Sequence, residues 1–138
     1  MSEANKAAVR RFYEEVFNKK RPEAIDELCT SDFTDHSPMP GQAPGREGTK
    51  QAFAMYMQGF PDLHADLHSV IAEGDLVAVR FSVTATHSGA LFGETPTGKK
   101  VTFEGIDFFR VKDGKAAEAW HQGNEMMVMA QLGIQPPT

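Results

Sequence analysis

The spacing of apolar residues changes once along this 138-residue chain, near residue 64, and that change constrains the fold more than any single motif. Before it, the spacing is helical. Val9, Phe12, Tyr13, Val16 and Phe17 fall at i, i+3, i+4, i+7 and i+8, opposite Arg10, Arg11, Glu14 and Glu15, so residues 4–18 read as an amphipathic helix. Pro22 suits the first turn of a short second helix that turns Ile25 and Leu28 inward and ends near Cys29-Thr30. The Pro and Gly residues of 31–45 predict a loop, and a third helix follows over 46–59 with Ala52, Phe53, Tyr56 and Met57 apolar.

After residue 64 the period is 2. Leu67, Ser69 and Ile71 alternate with His68, Val70 and Ala72 in a weak strand, and Gly74-Asp75 is a turn signal. Val77, Val79, Phe81, Val83 and Ala85 then share one face of a strand over 76–87, with Arg80, Ser82, Thr84 and Thr86 on the other. Residues 88–99 read as a long loop. Strands over 100–111 and 115–124 flank Asp113-Gly114, and Met126 to Leu132 forms a short helix or extends the last strand. The tail at Pro136-Pro137-Thr138 reads as a frayed end. Helices followed by hairpin-linked strands predict an α+β fold in one domain over 1–138, not βαβ units. So short a meander cannot close into a barrel. It must curl and pack its apolar face on the helices; if it curls strongly, a cone with a pocket between sheet and helices results.

Composition narrows the function classes. Fourteen Lys and Arg against nineteen Asp and Glu give a net charge of −5, and without a basic cluster neither nucleic acid nor an anionic membrane surface is an expected partner. The longest apolar run, Ala52 to Met57, is far short of the roughly 20 residues that span a bilayer, and no basic-then-apolar leader opens the chain, so a cytoplasmic location is expected. A lone cysteine, Cys29, excludes an intramolecular disulfide and a CxxC metal site. His64 and His68 fall on a strand, about 13 Å apart, and no His-x-His or Glu-x-x-His string occurs, so no metal is expected. Glycine-rich nucleotide loops and the GxSxG hydrolase string are also missing. Ten Phe and seven Met supply walls for either a solid core or a hollow one.

Several local strings occur in a familiar order: Ser31-Asp32-Phe33-Thr34-Asp35-His36, Gly74-Asp75-Leu76-Val77-Ala78-Val79-Arg80, Thr86-His87-Ser88-Gly89, Pro96-Thr97-Gly98-Lys99, Phe109-Arg110-Val111 with Asp113-Gly114-Lys115, and Gln131-Leu132-Gly133. Together they resemble the SnoaL-like polyketide cyclase family of the NTF2-like superfamily. The resemblance implies a cone-shaped α+β fold, no cofactor, and a small hydrophobic carbonyl-containing ligand. It also implies acid/base-catalysed intramolecular aldol chemistry on a polyketide ester. The position matching the family's catalytic aspartate is His121, and the position matching its assisting histidine is Asp107, so the two residue types are exchanged. The superfamily also hosts isomerases, epoxide hydrolases and pure binding modules, and these remain the alternatives.

Strand parity reaches the same two residues independently. Val101, Phe103, Gly105, Asp107 and Phe109 share one face, as do Ala117, Ala119, His121 and Gly123. Pairing 111 with 117 across the Asp113-Gly114 turn sets 107 opposite 121, so Asp107 and His121 are cross-strand neighbours on inward faces. A carboxylate on one imidazole nitrogen orients the ring and leaves the other nitrogen as a general base. The competing reading is a buried pair that does no chemistry. Phe53, Phe81, Phe103 and Phe109 are the expected pocket wall. Tyr13 with Asp35 loosely resembles the tyrosine–aspartate arrangement of ketosteroid isomerases, and His36 adjoins it. The plainer reading is helix packing and a solvated loop. Arg80, Glu104 and Trp120 have outward parity, which makes the outer sheet face the expected homodimer interface. An inward Arg80 would instead favour an epoxide hydrolase. Asn124 falls at the strand end, and His87 at the pocket rim or in the core.

Overall fold

The computed structural model describes residues 2–90 and 95–133. The tail expected to fray and part of the 88–99 segment expected to be a loop lie outside the described residues. Helix α1 (Ser2–Phe12) continues into a wider π-helical turn, Tyr13–Asn18. A 3-10 turn (Pro22–Ala24) leads into α2 (Ile25–Leu28) and β1 (Cys29–Asp35). Then come α3 (Gly45–Gly59), β2 (His64–Glu73), β3 (Leu76–Thr86), β4 (Lys100–Lys112), β5 (Lys115–Gly123) and α4 (Met126–Leu132). The five strands form one sheet in the order β1-β5-β4-β3-β2. β2 to β5 are an antiparallel meander, and β1 lies parallel to β5. The architecture is the expected α+β one, a curved, non-closed sheet with the helices against its inner face.

Three details differ from the pattern reading, each for a physical reason. Strand β1 replaces the first part of the predicted loop. Its Ser, Asp and Thr residues carry no strand signal, but Cys29 and Phe33 are buried anchors and the segment fills the free edge of β5, pairing Thr34 with Glu118 and Asp35 with Ala119. In β2, a bulge between Leu67 and Ser69 inserts one residue, so Leu67, Val70 and Ala72 all pack on the core while Ile71 faces out. The third detail is at the last hairpin. Asp113 (φ 52°) and Gly114 (φ 77°) both lie in the left-handed region, as a two-residue type I′ turn requires. That turn fixes Lys112 opposite Lys115, and Val111 opposite Ala116 rather than Ala117. A bulge next to Arg110 absorbs the extra residue, and from Arg110↔Glu118 onward the expected register holds, with Phe109↔Ala119, Phe108↔Trp120 and Asp107↔His121.

The core lies between α1, α3 and the inner face of the sheet. Val77, Val79, Phe81, Val83 and Ala85 are buried there, as their alternation predicts. Phe12 meets Tyr13, Phe53 and Phe109 with ring centres 5.9, 6.1 and 5.5 Å apart, and Tyr13 meets Phe81 at 5.4 Å. Phe81 and Phe109 are each 2% exposed, so they are packed core and not open wall. Full burial of each such ring contributes about 1.5–3 kcal/mol. Phe53 and Phe103 are half-buried at the edge of this core. The π-helical turn aims Asn18 at β2, where its side-chain amide exchanges two hydrogen bonds with the Ala65 backbone (2.8 and 3.2 Å). Helix α4 resolves the open choice at 126–132. Val128 and Leu132 are buried, the Gln131 side-chain amide exchanges two hydrogen bonds with the Thr102 backbone, and Gly133 ends the helix in the left-handed conformation.

Candidate functional site

Two adjacent cross-strand rows on the inner face build the site. One runs Val70, Val79, Asp107, His121; the next runs Leu67, Phe81, Gly105, Gly123. The first row brings a carboxylate and an imidazole together on an apolar surface. The second makes room for them. A Cβ on Gly105 would lie 2.9 Å from His121 Cε1 and 2.8 Å from Phe81 Cζ, and one on Gly123 would overlap the carboxylate of Glu125. The imidazole therefore lies over a glycine-lined notch, its ring centre 6.1 Å from that of Phe81.

Four polar side chains form one line through this notch. The Tyr13 hydroxyl donates to Asp107 Oδ2. His121 Nδ1 donates to Asp107 Oδ1 at 2.5 Å, and His121 Nε2 meets Glu125 Oε1. The nitrogen expected to face the pocket free thus has a carboxylate partner, which the strand periodicity did not indicate. Glu125 lies just past the end of β5, where Asn124 fastens the chain back onto β4 by donating its N–H to Glu104 O and accepting from Glu104 N. The His121 backbone N–H is held by Ser37 Oγ at 2.9 Å.

The electrostatics follow from this geometry. Burial alone favours the neutral imidazole, but hydrogen bonds to Asp107 and Glu125 and their negative charges outweigh it and raise His121 to about 10. At neutral pH the ring is an imidazolium donating from both nitrogens. Burial works against the Glu125 carboxylate, yet the His121 hydrogen bond leaves its pKa lowered. Tyr13, buried and beside the Asp107 carboxylate, is raised well above its ordinary value and keeps its proton. The line runs from interior to solvent: side-chain exposure is 13% at Asp107, 34% at His121 and 38% at Glu125. Tyr56, whose pKa is raised by burial and by the charge of Glu125, sits near its outer end. Such an arrangement can donate a hydrogen bond or a proton from Nε2 and can accept one at Glu125. Asp107 and Glu125 lie on opposite nitrogens of one ring, and among the described residues no three His, Cys, Asp or Glu converge as metal ligands.

The other candidates lie elsewhere. Tyr13 reaches Asp107 and not Asp35, whose carboxylate accepts from Ser37 N and Gln42 Nε2 at 2.9 and 3.0 Å. Asp35 lines a cleft of about 540 Å³ between β1 and the loop before α3, whose lining does not include His121. His36 is on the outer side, stacked on Trp120 (ring centres 4.6 Å) and bonded through Nε2 to Glu118 at 3.0 Å. Arg80 is exposed on the outer face, the orientation that does not favour an epoxide hydrolase. His87 is fully buried; its Nδ1 accepts from Thr97 N, fastening the 88–99 loop to the end of β3. No helix among the described residues is long and apolar enough to cross a membrane.

The family model described as SnoaL-like polyketide cyclase matches residues 7–132. The chain belongs to the SnoaL-like polyketide cyclase family. A candidate polyketide cyclase from Bacillus cereus is 32% identical with a TM-score of 0.81, the match covering 94% of this chain and 80% of that one. IdmH, a candidate polyketide cyclase from Streptomyces antibioticus, is also 32% identical with a TM-score of 0.80, over 94% of this chain and 99% of that one. AclR, a candidate hydroxylase from Streptomyces galilaeus, is 27% identical with a TM-score of 0.86, over 100% and 86%. Comparison with curated proteins found no match. This SnoaL-like chain therefore has the NTF2-like fold, with Asp107 and His121 side by side on its inner face.

Proposed function

We propose that this SnoaL-like chain is a cofactor-independent cyclase that closes a ring in a small hydrophobic carbonyl compound by an intramolecular aldol-type step. The observation that carries the reading is the line Tyr13–Asp107–His121, in which a largely buried carboxylate orients and charges an imidazole whose far side reaches toward solvent. Asp107 and Tyr13 hold the ring, and His121 is the acid/base group, presenting Nε2–H to a carbonyl oxygen. Proton removal next to that carbonyl then leaves an enolate whose charge the imidazolium stabilises. The breaking C–H bond supplies the enolate's electron pair and a side-chain base takes its proton, so no cofactor is required.

Proton exchange at the carbon beside a ketone tests this. The hydrophobic ketone 2-tetralone is incubated in D₂O with the protein, and loss of its C1 protons is followed by NMR. Acceleration by the wild type, and a loss of about 10²–10⁴-fold in His121→Gln and Asp107→Asn, is expected. Equal rates in all three proteins would sink the reading. A non-catalytic interaction module is the second reading, favoured by the solid packing of Phe81 and Phe109 on the inner face. It predicts neither 2-tetralone binding nor exchange.

The assembly that goes with this reading is a homodimer through the outer sheet face. Ile71, Ala78, Phe108 and Trp120 form one cross-strand row there, and Ile71, Ile106 and Phe108 are 66, 48 and 46% exposed. Arg80 and Glu104 flank the patch, and neither has an ion-pair partner among the described residues, a self-complementary arrangement suited to a two-fold interface.

A further inference from the structure

Glu125 is the one carboxylate of the site that orientation of the ring does not explain. Asp107 with Tyr13 already fixes the imidazole from the buried side. Glu125 instead covers the nitrogen that would meet a ligand, at the solvent end of the line. The fold invests several features in holding it there. Gly123 leaves the space that its carboxylate fills, Gly105 lets the imidazole lie within reach, and the two glycines are register partners. Asn124, the residue before it, is fastened to Glu104 by two hydrogen bonds. A carboxylate oxygen on Nε2 occupies the place that a carbonyl or enolate oxygen would take, since each accepts a hydrogen bond from the same donor.

We propose that Glu125 is the proton acceptor of this site and that its resting contact with His121 marks where the substrate's oxygen binds. The inference rests on the cyclase reading above and adds a base to it. The ligand class is a hydrophobic ketone or ester bearing an activated C–H beside its carbonyl. Its oxygen takes the Nε2–H hydrogen bond and displaces Glu125. Without its cationic partner, in half-buried surroundings, the carboxylate binds a proton more strongly. It removes the proton from the α carbon. The C–H electron pair becomes the enolate double bond, and the carbonyl π pair moves onto the oxygen held by Nε2. In ring closure the enolate carbon attacks a second carbonyl carbon of the same molecule, and the new alkoxide takes the proton back from Glu125. Atoms and charge balance with no further reactant.

The 2-tetralone exchange assay separates this from a merely structural clamp on α4. Glu125→Gln is expected to slow exchange by about 100-fold or more while 2-tetralone binding, read by saturation-transfer NMR, stays equal or tightens. In Glu125→Ala, acetate is expected to restore at least about tenfold of the lost rate, because a free carboxylate can enter the vacated notch, and to restore none in His121→Gln. Wild-type rates in both Glu125 variants, with His121→Gln slow, would overturn the role of Glu125 and leave the cyclase reading standing. A slow Glu125→Ala without acetate rescue would make Glu125 a clamp and also overturn it. No acceleration by the wild type over buffer would overturn both readings together.

Discussion

The two faces of the β4–β5 hairpin invert the usual rule in opposite directions. On the inner face the row Val70, Val79, Asp107, His121 carries two ionisable side chains into apolar surroundings, and each is paired. In the adjacent outer row Ile71, Ala78, Phe108, Trp120, Ile71 and Phe108 reach into solvent and Ala78 and Trp120 are half-buried. Polar groups inside cost free energy unless bonded, and large apolar groups outside forgo the gain of burial. A hairpin that does both is shaped by something other than its own stability, which the proposed chemistry on one side and the proposed dimer on the other would supply.

Substitutions on the two faces should therefore behave unequally. The largest effect is expected in the aromatic core, where Phe109 packs on Phe12 and Tyr13 and Phe109→Ala should cost about 3–5 kcal/mol in urea unfolding. Next comes Gly105→Ala. The new methyl must displace Phe81 or His121, and a loss of about 1–3 kcal/mol is expected, together with a changed His121 environment by NMR. Phe108→Glu on the outer face should change monomer stability by no more than about 0.5 kcal/mol. Sedimentation should nevertheless shift from dimer to monomer. If Phe108→Glu stayed dimeric, or destabilised the fold as much as Phe109→Ala, the contrast between the faces would be lost.

A pH dependence sharpens the inner side alone. His121 is raised above its ordinary 6.5 to about 10, so its contribution to stability is complete below pH 6.5 and fades as pH rises toward 10. Glu125 is lowered from 4.5, so its contribution is present above that value and fades as acid protonates it. The urea midpoint attributable to this pair should be highest between about pH 4.5 and 6.5. Its decline toward pH 10 should vanish in His121→Gln.

The site was partly legible in the sequence, and the division is physical. Alternation over Val77 to Ala85 identified the inner face because one buried side enforces period 2. The hairpin register placed Asp107 opposite His121, and the same arithmetic pairs Gly105 with Gly123, so the notch was present in the pattern although only the structure shows what fills it. Glu125 escaped because it lies beyond β5, where strand parity no longer applies and a bend returns the chain. The Tyr13–Asp107 bond joins residues 94 apart, and no local signal links them. β1 escaped for the opposite reason. Its residues read as loop, and only the open edge of β5 makes them a strand.

The claim on which the rest depends is that His121 is held as an imidazolium between Asp107 and Glu125. ¹⁵N NMR of the histidine side chains across pH 5–11 reads this directly. Both His121 nitrogens should remain protonated at pH 7, with titration near pH 10 that moves toward 6.5 in Asp107→Asn and Glu125→Gln. A wild-type ring that titrates near 6.5, unmoved by either substitution, would contradict it.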